Sequence, residues 1–331
     1  MKKKLNPSRK ERLAVILLSL LFIFVAIAAV IKFVVRAPSP AVDTTDPADA
    51  VLEDQTDEPT GSEVSSPDAR KEYCYTILVS GLDDDNGGSD TNILVRFDAV
   101  GKSIDLVSLP RDTLLNHEWA SNKLNFAYAK GGTELLRTEI ENLLGIPVDF
   151  YVTVNLKGFI ALVDQIGGVD FDVPVDMDYD DPYQDLHIHY KKGLQHLNGQ
   201  QAMEVVRWRK NNDGVGYATA DIGRIETQQA FLTQVAKQLL KIDNVPAMAQ
   251  VFFKYVKTDL TVGNLVWLGT EALGMGMDAV SFHTLPGDGT GYYRKESVYV
   301  LDPEATLTLV NEALNPYNEP ITLEDMDILV P

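Results

Sequence analysis

The chain has 331 residues, of which 45% are hydrophobic, so it can bury the core of at least one globular domain. When the 8 basic and 1 acidic residues of positions 1–36 are subtracted from totals of 29 and 48, the remainder carries a charge of about −26. Such a charge repels nucleic acid and argues against a DNA-binding regulator. A single cysteine, Cys74, excludes an intramolecular disulfide, and its apolar neighbours predict a buried thiol.

An apolar segment near the N-terminus has the length of a membrane span. Residues 13–31 carry no charge, and the apolar run resumes after Lys32 as far as residue 35. A helix of this length crosses roughly 30 Å of hydrocarbon, whereas a cleaved signal peptide has an apolar core of only about 7–15 residues. Because basic residues dominate positions 1–12, we predict a cytoplasmic tail there. Residues 13–35 are then a transmembrane helix, and the rest of this single-pass membrane protein lies outside the cell.

The segment after the apolar run has the composition of a disordered stalk. Residues 36–71 are rich in proline and acidic residues and contain no aromatic side chain. They cannot bury enough apolar surface to offset the entropy of ordering. We therefore predict a stalk over 36–71 and a domain over 72–331.

Strand and helix patterns alternate through the predicted domain. The first half contains strands at Tyr73–Ser80, Asn92–Val100, Ser103–Leu109 and Val148–Val154, with helices at Gly132–Leu144 and Leu156–Ile166, the latter capped by Asn155. The second half contains a helix after Asn198 with a capping box to Gln201, a long helix from Asp221 to about Lys241, strands at Val280–Leu285 and Val298–Leu301, and a helix at Pro303–Ala313. This alternation predicts a single α/β domain.

Acidic residues cluster in a glycine-rich loop between the first two strands. Asp83 and Asp90 lie within residues 81–91, and carboxylates spaced along such a loop can converge on Mg²⁺. A calcium EF-hand is disfavoured because the twelfth position counted from Asp83 is Leu94 rather than glutamate. An acidic surface turn remains the alternative for the loop taken alone.

Arginines recur at three points where apolar structure is expected to end. Arg111 follows Pro110 at the end of a strand, where ligands of α/β sheets bind, although a surface salt bridge is an alternative. Arg207 and Arg209 would face the same way if the chain is extended there. Arg224 and Gln228 are four positions apart and share a helical face. Together, in so acidic a domain, these residues predict a site for phosphate.

The ordered motifs of the chain resemble those of the LytR–CpsA–Psr family of bacterial cell-wall ligases. The matching pieces are Gly81-x-Asp83, Ser89-Asp90-Thr91, Ser108-x-Pro110-Arg111-Asp112, Lys123-x-Asn125, Ala127-Tyr-Ala129-x-Gly131-Gly132, Asp164-x-x-Gly167-Gly168-Val169, Leu197-Asn-Gly199-x-Gln201-Ala202 leading to Arg207-x-Arg209, and Asp221-x-Gly-Arg224-x-x-x-Gln228-Gln229. The resemblance implies an extracellular domain with a central mixed β-sheet flanked by helices.

The resemblance also implies a reaction. Members of the family transfer a glycopolymer from a polyprenyl (undecaprenyl) pyrophosphate to peptidoglycan, forming a phosphodiester link in the cell wall. Carried over, Asp83 and Asp90 would hold Mg²⁺ or Mn²⁺, while Arg111, Arg207, Arg209 and Arg224 would bind the pyrophosphate, supported by Lys123 and Gln228. Asp90, Asp221 or neither would be the general base. The expected partners are the lipid-linked donor, peptidoglycan and the membrane, without nucleic acid, and we expect a monomer.

Two positions depart from the family pattern. The family often has an arginine before Ser-Asp-Thr and another before the Gln-Gln pair, where this chain has Gly88 and Thr227. Their loss would weaken the hold on pyrophosphate or accompany a different glycan donor. One alternative function is a non-catalytic binder of cell-wall lipids, in which the two lost arginines mark decay. Another is a polyprenyl pyrophosphate hydrolase, in which water replaces the sugar hydroxyl.

Two smaller features have structural interpretations. The spacing of His187 and His189 can chelate zinc, but no cysteine is near, and we interpret the pair as part of a strand without a metal role. Trp208 between the two arginines could stack on a sugar, but we expect it to pack in the core.

Overall fold

The computed structural model describes residues 35–40, 70–82, 87–183, 186–217, 221–239, 252 and 254–331. The predicted tail at 1–12, nearly all of the predicted transmembrane helix, residues 41–69 of the stalk and Asp83 lie outside the described residues. Among the helices that are described, none is both long enough and apolar enough to cross a membrane.

The described part of the chain contains twelve strands and six α-helices. The strands are β1 (Cys74–Leu82), β2 (Ser89–Asp98), β3 (Ser103–Leu109), β4 (Phe150–Asn155), β5 (Val169–Val173), β6 (Met177–Asp181), β7 (Leu186–Tyr190), β8 (Gly193–Leu197), β9 (Val256–Thr258), β10 (Val280–Thr284), β11 (Gly287–Tyr293) and β12 (Glu296–Leu301). The helices are α1 (Leu124–Leu144), α2 (Leu156–Gln165), α3 (Gly199–Arg207), α4 (Asp221–Leu239), α5 (Val262–Met275) and α6 (Pro303–Leu309).

Six strands form the central sheet in the order β10-β3-β2-β1-β4-β9. The β1–β2, β2–β3 and β4–β9 pairs are antiparallel, while β1–β4 and β3–β10 are parallel, so the sheet is mixed. Fully buried side chains, including Leu78, Leu94 and Leu136, pack the sheet against α1. A separate cluster around Tyr75 and Phe97 packs against α5. The prediction of an α/β fold with a mixed central sheet and flanking helices is confirmed.

A second core lies outside the central sheet. The β6–β7 pair lies between β5 and β8 in the chain, so β5–β8 and β6–β7 are nested hairpins; each has only two strands and is marginally stable alone. Their inward side chains, such as Phe171 and Ile188, pack with Val163 of α2, Phe231 of α4 and Trp208. This packing stabilises the two hairpins and holds them beside the sheet.

Local predictions from side-chain chemistry agree with the structure at several points. Asn155 caps α2 by accepting a hydrogen bond from the Gly158 amide at 2.8 Å, and Asn198 forms the capping box with Gln201. Cys74 is buried, and burial raises the pKa of its thiol to about 11. Trp208 is 2% exposed and packs in the second core, as expected.

The boundaries of two predicted helices differ from the structure. The helix expected from Gly132 continues an earlier segment that begins at Leu124, and the two parts meet at a kink. Gly131 and Gly132 have non-helical torsions there, and Gly132 has φ of +68°, which glycine adopts without strain. The last predicted helix is α-helical only to Leu309, after which Val310–Leu314 widen into a π-helical turn.

The first residues of the predicted stalk lie on the domain. Pro38 is buried and its carbonyl accepts a hydrogen bond from the Tyr75 hydroxyl at 2.9 Å. The carbonyl of Arg36 accepts one from Asn264 at 3.2 Å. Residues 36–40 therefore differ from the disordered segment predicted there, because their backbone has partners in β1 and α5.

Candidate functional site

A cavity of about 660 Å³ lies between the end of the central sheet and the hairpins of the second core. Its charged lining brings together five predicted site residues with one lysine and one further aspartate, namely Asp90, Arg111, Arg207, Arg209, Arg224, Lys210 and Asp181. Its apolar lining includes Val79, Ile93, Leu156, Phe159, Leu186, Ile188, Met203, Val206, Phe231 and Leu232. The cavity thus joins a cationic region to an apolar one.

The end of β3 positions Arg111. A turn after Pro110 is closed by the Thr113 amide, which donates to the Pro110 carbonyl at 3.0 Å. The Arg111 carbonyl accepts from the Asn125 amide at 3.0 Å, which ties this turn to the start of α1. The Arg111 guanidinium meets the Asp90 carboxylate, with Nη1 2.5 Å from Oδ1. The residues predicted at two strand ends therefore converge, as expected for an α/β sheet.

Asp90 occupies an irregular position in β2. Ser89 pairs with Leu82 and Thr91 pairs with Gly81, so Asp90 falls where the β1–β2 register shifts. Such a bulge re-aims side chains next to binding sites. The side chain of Asp90 is 37% exposed, which leaves it accessible from the cavity.

Lys123 reaches the site through an intermediate carboxylate. Its Nζ lies 3.4 Å from Asp112 Oδ1, and the same oxygen lies 3.6 Å from Arg111 Nε. A lysine and an arginine therefore share one carboxylate behind the cavity wall. This places Lys123 as a support for Arg111.

Arg207 and Arg209 reach the cavity by a different route from the one predicted. Arg207 is the last residue of α3, and the backbone becomes extended only at Trp208. Arg209 is exposed, whereas Arg207 is partly buried. Both nevertheless line the cavity. The end of helix α3, rather than an extended segment, therefore brings the two arginines to the cavity.

Helix α4 contributes the residues that share one face. Arg224 is only 7% exposed, and Gln228 lies one turn further along the same helix. The Gln228 side chain donates to the Val206 carbonyl at 3.2 Å, which links α4 to α3. Asp221 is the first residue of α4.

One partner of the site, Gln229, was not assigned a role from sequence. Gln229 Nε2 donates to Ser108 Oγ at 3.0 Å, to the His283 carbonyl at 2.9 Å and contacts Thr284 Oγ1 at 3.2 Å. The bonds fasten α4 to the ends of β3 and β10. The Gln-Gln pair was a visible motif, but only the structure shows that its second member points to the sheet.

A tyrosine contacts the position where the family often has an arginine. Thr227 is buried, and its hydroxyl lies 2.9 Å from the Tyr217 hydroxyl and 2.9 Å from the Gly223 carbonyl. Tyr217 also lines the cavity, and burial raises the pKa of its phenol. A neutral hydrogen-bonded pair therefore lies at the position of this missing arginine.

The charged lining is compatible with a hard cation. Mg²⁺ is typically bound through one or two carboxylates together with substrate phosphates. Asp90 supplies one such carboxylate on the cavity wall, and its predicted partner Asp83 lies outside the described residues. Asp90 also pairs with Arg111, so within the described residues it offers one carboxylate, and the other oxygen ligands would come from bound phosphate.

The fold and the site define an α/β domain whose cavity joins an arginine cluster to an apolar wall. The profile of the LytR_cpsA_psr family matches residues 41–314, and the chain belongs to that family. It is 30% identical over 250 residues to the polyisoprenyl-teichoic acid–peptidoglycan teichoic acid transferase TagV of Bacillus subtilis strain 168, covering 71% of this chain and 62% of TagV. It is 34% identical over 216 residues to the transferase TagU of Bacillus anthracis, covering 63% of this chain and 66% of TagU.

A solved structure shows the same fold. The crystal structure of B. subtilis TagV superposes with a TM-score of 0.62 at 26% identity, covering 79% of this chain and all of that one. The chain spans somewhat less than two thirds of the length of the TagV and TagU proteins that it matches in sequence.

Proposed function

We propose that this chain is a phosphotransferase that moves a glycopolymer from a polyprenyl (undecaprenyl) pyrophosphate carrier onto peptidoglycan, leaving a phosphodiester link. The observation that carries the proposal is the continuity of the cavity, in which an arginine cluster adjoins an apolar wall. A lipid pyrophosphate has the same two parts. The names of the related TagV and TagU proteins favour a teichoic acid-type glycopolymer as the donor.

The cationic region suits a pyrophosphate. Arg111, Arg207 and Arg224 approach from the turn after β3, from α3 and from α4, so their guanidinium groups come from three separate segments. Guanidinium groups bind phosphate oxygens through paired hydrogen bonds and keep their charge at any physiological pH. In a domain of strongly negative charge, this clustering of cations favours one anionic ligand.

The apolar region suits the first isoprenoid units of the carrier. Phe159 and Phe231 form part of it, and their rings lie 5.7 Å apart. Burying apolar ligand surface there would contribute about 25 cal/mol per Å². Binding energy from the lipid, which does not react, would then hold the pyrophosphate against the arginines.

The reaction itself is one displacement at phosphorus. A hydroxyl oxygen of peptidoglycan forms a bond to the sugar-side phosphorus. The bond from that phosphorus to the bridging oxygen breaks, and its electron pair leaves with polyprenyl phosphate. The hydroxyl proton passes to a base, for which Asp90 and Asp221 are the candidates. Arg111, Arg207, Arg209 and Arg224 would hold the oxygens and stabilise the charge that shifts between them.

Mg²⁺ or Mn²⁺, held by Asp90 and Asp83, would neutralise pyrophosphate charge when bound.

The location follows from the N-terminal sequence. We propose the extracellular face of the cell membrane as the location, with residues 13–35 as the anchor. This rests on the residue pattern of the N-terminus. The same location supplies both lipid-linked donors and peptidoglycan. We propose a monomer as the active unit.

A transfer assay tests the function. The full-length chain in detergent is incubated with undecaprenyl-pyrophosphate-linked glycan, peptidoglycan and Mg²⁺, and the peptidoglycan is analysed for attached glycan. Arg207→Ala should lower the transfer rate by about 10²–10³-fold, the usual cost of losing one transition-state contact. Arg137→Ala is the matched control, because Arg137 pairs with Glu141 within α1 and should not affect transfer.

Two results would contradict the proposal. Release of phosphate products without attached glycan would identify a hydrolase instead. Full activity in the Arg207→Ala protein would show that the cavity arginines are not the site of reaction.

A further inference from the structure

The β6–β7 hairpin has two chemically different faces. Its inner face carries Tyr179, Leu186 and Ile188, which line the cavity. Side chains alternate along a strand, so the intervening residues point outward. On that outer face the strands pair Asp180 with His187 and Asp178 with His189. Two histidines and two aspartates therefore lie together on the side of the hairpin away from the cavity.

One carboxylate oxygen lies between the two imidazoles. Asp180 Oδ1 is 2.5 Å from His187 Nδ1 and 3.3 Å from His189 Nε2. The three ligand atoms that Asp180, His187 and His189 offer lie within 4.8 Å of one another. Tetrahedral zinc with bonds of about 2 Å needs its ligand atoms roughly 3.3 Å apart. Because the two histidine side chains are 56% and 54% exposed, small rotations can close that difference.

A second carboxylate orients one of the imidazoles. His189 Nδ1 lies 2.7 Å from Asp178 Oδ1, so this ring can donate from Nδ1 and keep the lone pair of Nε2, 3.3 Å from Asp180 Oδ1, available for a metal ion. Carboxylates that bind the far nitrogen of a histidine in this way fix the tautomer that coordinates a metal. Asp178 would fix the tautomer of His189 in this way.

Although the sequence alone favoured no metal role for this pair, we propose that Asp180, His187 and His189 bind a divalent transition-metal ion of the zinc class, with Asp178 orienting His189. Imidazole nitrogens favour zinc and its neighbours, whereas Mg²⁺ takes oxygen ligands, so this site differs from the one expected at Asp90. An ordinary cross-strand pair exists for comparison at His196 and Asp170, with Nδ1 2.7 Å from Oδ1. That pair has a single histidine, so it lacks the shared oxygen that joins two imidazoles.

The ion would brace one wall of the cavity. The loop that follows Arg209 is bonded to the backbone of β6, since Asn211 Oδ1 accepts from the Asp178 amide at 2.7 Å. Asn212 accepts from the Asp180 amide at 2.6 Å and donates to its carbonyl at 3.0 Å. An ion clamping β6 to β7 would therefore also restrain the loop that carries Arg209. This inference does not depend on which reaction the cavity performs.

Calorimetry with zinc alone tests the site. The full-length chain, purified in detergent without a histidine tag and stripped with chelator, is titrated with ZnCl₂ in excess MgCl₂. We expect one saturable ion per chain. His187→Gln and His189→Gln should each weaken binding by at least about tenfold, and Asp178→Asn by about 10–100-fold, as for other residues that orient a ligand. His196→Gln is the matched control and should leave the affinity unchanged.

The opposite outcomes overturn the proposal. If the unaltered protein releases the same heat on zinc titration as the His187→Gln/His189→Gln double variant, no zinc site exists at these histidines. An equal loss in His196→Gln would mean that zinc binds surface histidines indiscriminately. Hydrogen exchange then tests the bracing: zinc should slow exchange of the β6 and β7 amides, and unchanged exchange in a protein that binds zinc would refute it.

Discussion

The two walls of the cavity are built differently. The sheet side, comprising β1–β3 with Asp90 and Arg111, belongs to a six-stranded sheet covered by helices. The hairpin side, comprising β5–β8 and α3 with Arg207 and Arg209, consists of two-stranded hairpins held by a smaller core. Two-stranded sheets are marginal alone, so the hairpin side depends on packing against α2 and α4. The comparison suggests that the sheet side is more stable to local unfolding than the hairpin side. Helix α4 is hydrogen-bonded to both sides.

The largest expected effect tests whether the two sides differ in stability. Trp208 is 2% exposed, lies 4.8 Å from Tyr217 ring to ring, and donates from Nε1 to Asn211 at 3.2 Å. Trp208→Ala should destabilise the hairpin side by about 3–5 kcal/mol. Hydrogen exchange should then show loss of protection in β5–β8 and retained protection in β1–β3.

Leu94→Ala is the counterpart on the sheet side. Leu94 is fully buried, and its truncation should lower the free energy of unfolding by about 2–5 kcal/mol. Protection from hydrogen exchange should then fall on both sides of the cavity together. If the two variants give the same exchange pattern, the sides unfold as one unit and the comparison fails.

The next effect concerns the arginine of the connecting helix. Arg224 is 7% exposed, whereas Arg209 is exposed at the edge of the hairpin side. A desolvated cation interacts more strongly with a bound anion than a solvated one does. Arg224→Ala should therefore lower transfer by about 10²–10³-fold, and Arg209→Ala by less. Steady-state rates of the two proteins measure this, and a larger loss in Arg209→Ala would refute the ranking.

A smaller effect tests how α4 is fastened to the sheet side. Gln229→Leu removes the donor to Ser108 and leaves the His283 carbonyl without that partner. Loss of a buried partner costs about 1–3 kcal/mol, which denaturant unfolding should detect. Gln200→Leu is the control, because Gln200 is exposed on α3 and its replacement should stay within about 0.5 kcal/mol. Equal effects would show that the Gln229 bonds do not stabilise the fold.

The smallest effect tests a departure from the family pattern on the sheet side. A Cβ on Gly88 would lie 3.7 Å from the Asn125 carbonyl, an ordinary contact, so a side chain fits there. Gly88→Arg should lower the KM for the lipid-linked donor by up to about fivefold, since an exposed charge pair contributes about 0–1 kcal/mol. Gly88→Ala supplies the uncharged control. A raised KM in the arginine protein alone would show that added charge there disfavours the donor.

The sequence identified charged residues that the structure brings to one cavity, because their signals are local in the chain. Arg111 follows a proline at a strand end, and Arg224 and Gln228 are one helical turn apart. The apolar wall has no such signal, since it draws on residues as distant as Val79 and Leu232. Their shared surface depends on tertiary packing, which spacing along the chain does not encode.

The fold was likewise predictable where its elements have local sequence signals, and not where they depend on tertiary packing. The buried strands of the central sheet are runs of apolar residues, and β3 was predicted with its observed bounds. The hairpins alternate buried and charged residues, as in the Leu186–Tyr190 strand, and were not placed as a unit. The kink at Gly131 and Gly132 hid the first half of α1, because glycine lowers the helical signal.

The docking of residues 36–40 bears on how far the cavity can lie from the predicted anchor. Residues 36–40 directly follow the predicted anchor and pack on the domain, so residues 41–69 do not separate the anchor from the cavity. If residues 13–35 cross the membrane as proposed, the cavity would have a fixed height above the lipid surface. Acceptor strands would then have to come to the bilayer.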